Sequence, residues 1–367
     1  MGSRFALPAA LVAAFCVFVG GVWAVAATTW SLPAADAAAP VTTPIASASA
    51  SPSTPAPGAS PALWTQSTLR TYLVAELNRT DPGVALDDLE HITRVQPQVS
   101  RFCHPVAHDL GHAALKKYGS FGKAVAFRND VCGSGYLHGV VEETLAQSPD
   151  PVAAVTTLCA PQMSASCIHG IGHGAMFVSR LNVPKAERLC DRFGQTYQVV
   201  ACSEGVFMQL FEPDEDDPAA LAQLPSSRLA AEPLYPCPEQ PSIFQSACYF
   251  YAPIYYLQTH DYVNHPESFV QALRWCLKAP TSAGQQSCTR GTGSRLIKYN
   301  IDRPAWTAAQ CEAAPQGWQR SACVDGMVSY WNVNFHDKSA RTKLCPQLSG
   351  QAAAECRASS GGSSSED

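Results

Sequence analysis

Polar and apolar positions follow a helix–turn–helix rhythm along most of this chain. In VPKAERLCDRFGQTYQVVACSEGVFMQLF, from Val183 to Phe211, a proline opens a run of helix formers, Gly194 interrupts it, and a more apolar run follows. RPAWTAAQCEAAPQGWQRSACVDGMVSYW, from Arg303, repeats the plan with Pro315 and Gly317 at the turn. Proline suits the first turn of a helix and glycine its end, so each unit reads as two helices joined by a short turn.

The chain ends have another texture. No residue between Arg4 and Asp36 is charged, and Phe5 to Ala27 is an apolar run of 23 residues. About 20 such residues cross a bilayer, and Arg4 ahead of them sends the remainder outward. Residues 1–30 therefore read as a signal anchor. The protein is then single-pass in the cell membrane, with its C-terminal domain extracytoplasmic. Ala24-Val25-Ala26 has the form of a cleavage site, so secretion after signal cleavage is the rival reading. Residues 31–62 are almost wholly Ala, Pro, Ser and Thr, and 357–367 is a short Ser-rich tail. Both have too little to bury to offset the entropy of ordering, so both are expected to be disordered. The folded part is expected over 63–356.

The cysteines reveal the period. Of 15, Cys16 lies in the apolar run, which leaves an even set of 14. Cys132, Cys167, Cys202, Cys248, Cys288, Cys323 and Cys356 are separated by 35, 35, 46, 40, 35 and 33 residues. Six of them follow another Cys by 8, 12, 11, 12, 12 and 11 residues. A period near 35 marks stacked helical hairpins. The expected bridges staple each hairpin: Cys159–Cys167, Cys190–Cys202, Cys237–Cys248, Cys276–Cys288, Cys311–Cys323 and Cys345–Cys356. Cys103 and Cys132 remain and pair with each other. Joining successive units instead, as Cys167 to Cys190, strands Cys103 and Cys356. So many cysteines exclude a reducing cytosol.

This layout resembles tetratricopeptide-like solenoids, particularly the secreted kind whose helix pairs are cross-linked by disulfides. The likeness covers about Pro97 to Cys356 and is one of architecture. It implies an all-α solenoid of about seven disulfide-linked hairpins and no particular activity.

Chemistry enters with histidine. Six of the ten His fall between His104 and His173, in CHPVAHDLGHAAL, CGSGYLHGVVEETL and CIHGIGHGAMF. With Pro105 as the first helical residue, His108 and His112 lie one turn apart, as do His138 and Glu142, and His169 and His173. Such pairs chelate metal, and imidazole suits copper, iron or zinc. The expected ligands are His108, His112, His138, His169, His173 and Glu142, with Asp109 ligating or orienting a His. His104 precedes that helix start and is left out; His91, His260, His265 and His336 stand apart.

Other chemistries lack their residues. HDLGH has Asp109 where the zinc-protease helix H-E-x-x-H carries its glutamate base. No C-x-x-C, P-loop or G-x-S-x-G is present. A net charge of −5 lacks the basic footprint of nucleic-acid binding. Two functions are left: a membrane-tethered extracytoplasmic metalloprotein with one or two ions, either an oxidative or hydrolytic metal-dependent enzyme or a metal-handling protein, and a solenoid that binds a protein or glycan partner. YFYAPIYYL from Tyr249 and VSYWNVNF from Val328 supply aromatics for the second.

Overall fold

The computed structural model describes residues 63–160, 163–213, 222–334 and 340–359. The expected anchor (1–30), the linker (31–62), His336 and most of the tail lie outside them. Among the described residues there are seventeen α-helices and no strand. No helix there is long and apolar enough to cross a membrane.

Each hairpin pairs a short outer helix with a longer inner one. Three outer helices open on proline: Pro82–Val95 after Asp81, Pro151–Thr157 after Asp150, and Pro304–Glu312. Asp81 and Asp150 accept from backbone N–H groups of the first turn, which leaves fewer donors unmet there. Inner helices run over Cys103–Tyr118, Val131–Ala146, Ala165–Val178, Thr196–Phe211, Ser242–Tyr251, Ser282–Tyr299 and Gly317–Asn334. Disulfides join Cys103–Cys132, Cys159–Cys167, Cys190–Cys202, Cys237–Cys248, Cys276–Cys288, Cys311–Cys323 and Cys345–Cys356. In the Cys190 and Cys276 hairpins the bridge runs from the last residue of the outer helix to the second turn of the inner one. Closing loops of this length stabilises by roughly 3 kcal/mol each. Cys103–Cys132 differs, since it ties two neighbouring inner helices together.

Inner helices pack side by side in chain order, and the array turns back on itself. The Gly317–Asn334 helix meets the Val131–Ala146 helix. Ser100 Oγ donates to the Lys298 carbonyl at 2.7 Å, and Arg101 Nε to that of Tyr299 at 3.2 Å. An open solenoid does not make these contacts. The inner helices instead surround a central cavity of about 180 Å³, to which each of the seven contributes lining residues.

Close approach between inner helices depends on glycine. A Cβ on Gly205 would lie 2.0 Å from the His169 carbonyl oxygen, which is backbone and cannot turn aside. Gly205→Ala should therefore cost about 2–3 kcal/mol by overpacking. Gly194→Ala, at the turn of the same hairpin with nothing within 4 Å, should leave the thermal midpoint unchanged. Equal midpoints for the two variants would show that the helix contact is not tight.

Candidate metal centre

Four imidazoles converge where the first three inner helices meet. His104 and His108 come from Cys103–Tyr118, His138 from Val131–Ala146 and His173 from Ala165–Val178. One nitrogen from each lies within 4.8 Å of all the others. The Gly139 Cβ position is 2.1 Å from the His108 carbonyl oxygen, so glycine brings these helices close enough for their imidazoles to meet. His108, His138 and His173 are buried.

Hydrogen bonds on the outer nitrogens fix the tautomers. His104 Nδ1 donates to the Cys132 carbonyl at 2.6 Å. That carbonyl is set by left-handed backbone at Cys132, Gly133 and Ser134 (φ 55, 65 and 60°), just before the regular part of its helix. His108 Nδ1 donates to Glu142 Oε2 at 3.2 Å, and His173 Nδ1 lies 2.7 Å from Gln209 Oε1. A neutral imidazole has one N–H, so with Nδ1 donating, Nε2 of His104 carries a lone pair and points at Nε2 of His108. These two atoms face each other at 3.0 Å. Two ring nitrogens at that distance need a proton between them or a metal ion against both. Neither nitrogen of His138 and not Nε2 of His173 has a hydrogen-bond partner, although all are buried. Unmet buried polar atoms are costly, and a metal ion satisfies all of them at once.

Electrostatics keep the donors in the ligating form. Burial, reinforced by neighbouring imidazoles, pushes His104 and His138 well below the ordinary histidine range, and His173 to about 4. Burial alone would raise the Glu142 carboxyl. The hydrogen bonds from His108 and His112 outweigh it and hold Glu142 well below the usual carboxylate range. A carboxylate behind a ligating histidine orients the ring and strengthens it as a donor.

The residues singled out in the sequence separate into three groups. His108, His138 and His173 belong to the cluster. Glu142 stands behind it, shared with His112, whose Nε2 is 3.2 Å from the same oxygen. His169 stacks beside His138 at 4.7 Å between ring centroids, with Nδ1 4.0 Å from Glu204, outside the tight set. Asp109 faces Arg70 at 3.7 Å instead. His104 enters the cluster because its helix starts at Cys103 rather than at Pro105. Pro105 is the third helical residue, where a missing N–H still breaks no intrahelical bond. Of the remaining histidines, His260 Nδ1 sits 2.9 Å from the Tyr256 carbonyl and His265 pairs with Glu267.

His104, His138 and His169 also line the central cavity, so one side of the cluster is open to it. Arg290, Arg295 and Lys298 line the same cavity, together with Glu204, Tyr251 and Tyr330. Arg290 shares a repeat register with His169 and Glu204, but Arg295 and Lys298 belong to no motif. No family model matches the chain, and neither the curated proteins nor the solved structures contain a match.

Proposed function

We propose that this protein is an extracytoplasmic metalloenzyme, tethered by residues 1–30, in which His104, His108, His138 and His173 hold one transition-metal ion. The observation that carries the reading is a buried set of four imidazoles in which both nitrogens of His138 and Nε2 of His173 have no hydrogen-bond partner. Four nitrogens at about 2.1 Å from a common ion stand at most about 4.2 Å apart, so the set has to contract only slightly. Imidazole without a carboxylate in the set suits copper, iron or zinc and not calcium or magnesium. Seven disulfides support a location outside the cytoplasm.

The opening onto a cavity favours an enzyme over a closed structural site, since catalysis needs a position for water, oxygen or substrate. The aromatic segments offered for a protein or glycan partner are largely spent elsewhere. Tyr249, Tyr251, Tyr256 and Leu257 are buried, while Phe250 and Tyr330 line the cavity.

Elemental analysis of the protein, purified without chelator or His tag, should find one equivalent of copper, iron or zinc per chain. A fully folded, disulfide-bonded preparation that neither contains nor takes up any of the three would end this reading.

A further inference from the structure

Part of the cavity wall is built from two deeply buried cations. Arg295 is 4% exposed and Lys298 1%. Both turn to one carboxylate: Lys298 Nζ is 2.6 Å from Glu212 Oε1, and Arg295 NH1 is 3.9 Å from Oε2. Lys298 holds the close contact, and Arg295 is left at a loose distance with its Nε unpartnered. Its guanidinium lies over the ring of Tyr251, 5.3 Å from the centroid, and Tyr251 in turn stands 6.4 Å from the His169 ring. Arg290 differs, because its charge is met by Asp325 at 2.7 Å. Glu204 also lines the cavity, but towards His169.

A buried guanidinium with an N–H left unmet is costly at low dielectric. A water-filled cavity relieves part of that cost, and an anion relieves more. We infer that the cavity is a binding site for a small organic monocarboxylate, held by the Arg295 guanidinium beside Tyr251, with its other end towards the imidazole cluster. A carboxylate fits the planar fork of arginine through two parallel hydrogen bonds. With Glu204 in the cavity wall and Glu212 against Arg295, one further negative charge is better tolerated than the two of a dicarboxylate or phosphate. The volume, about 180 Å³, is below the 300–1,000 Å³ of sites for drug-sized ligands, so the acid has only a few carbons. As a substrate site this rests on the metal reading above; as an anion site it stands on Arg295 alone.

The test is calorimetric titration of the full-length, metal-analysed protein with acetate, propionate, succinate and inorganic phosphate. Acetate and propionate should bind in preference to the two multivalent anions. Arg295→Gln should weaken both by at least about ten-fold with metal content unchanged. If that variant does not fold, Arg295→Lys keeps the charge and loses the fork, and weaker acetate binding is again expected. Equal acetate affinity in a folded Arg295 variant, no monocarboxylate binding by metal-replete protein, or a preference for phosphate or succinate would each overturn the inference. Arg295-dependent acetate binding by protein that holds no metal would uphold the anion site while the metal reading fails.

Discussion

Replacing His138 with Leu should remove the metal and, in metal-free protein, raise stability. His138 is 3% exposed, and neither of its ring nitrogens has a partner within the protein. The other cluster histidines are each engaged elsewhere as well. His104 holds the Cys132 carbonyl, His108 holds Glu142, and His173 meets Gln209. A hydrogen-bonding role for His138 would require a partner that it lacks. Leaving a buried polar group unmet costs about 1–3 kcal/mol, and an apolar side chain of similar bulk recovers much of that. Leu supplies no ligand, so the fourth coordination position is lost. The expected result is metal at the background of a blank, together with a higher thermal midpoint for the variant than for wild-type protein stripped of metal. His112→Ala serves as the contrast. It removes one of two hydrogen bonds to Glu142 and should weaken metal binding by about ten-fold without abolishing it. Full metal occupancy in His138→Leu, or a lower midpoint than metal-free wild type, would assign His138 to packing.

The hairpins and their staples were legible because they are local. Cys190 and Cys202 lie 12 residues apart, and the proline, glycine and periodic apolar residues around them encode a helix pair without reference to the rest of the chain. The cavity was half legible. Counted from the second cysteine of each unit, the sixth position holds His138, Met208, Ser294 and Ser329, which line the cavity, and His173 and Ile254, which do not; the second position holds His169, Glu204, Phe250 and Arg290, which line it, and Ser134 and Asp325, which do not. A fixed register position meant a fixed face, but not that the faces converge. Closure depends on a small rotation per hairpin summed over the array, which no single unit contains. His104 was missed for a local reason, a helix start placed two residues late. The Lys298–Glu212 pair was out of reach for the opposite reason, since its partners are 86 residues apart and share no motif.

Acid should unfold the metal-free protein well before it unfolds the metal-loaded form. In the unfolded chain a histidine takes up its proton near pH 6.5. Inside the fold, burial holds His104, His138 and His169 well below that value and His173 at about 4. Folded pKa values below unfolded ones mean that the unfolded chain binds more protons between the two, so stability is intact above pH 6.5 and is lost as pH falls towards 4. His173 alone accounts for a loss on the order of 3 kcal/mol by the bottom of that window. The three deeper imidazoles act in the same direction, and together they rival the net stability of a typical domain. Glu142, held low by His108 and His112, adds to the loss below the ordinary carboxylate range. Glu187 and Asp109 oppose it: burial raises the Glu187 carboxyl to about 7 and also raises that of Asp109, so both gain as pH falls, but they are two groups against four imidazoles and Glu142. A bound ion competes with protons for the same lone pairs and moves the transition to lower pH. Circular dichroism during acid titration should therefore show metal-free protein losing helix between pH 6.5 and 4, and metal-loaded protein persisting below that range. Coincident transitions for the two forms would mean that the ion does not sit on these imidazoles. A flat profile down to pH 4 in the metal-free form would mean that they are not buried neutral.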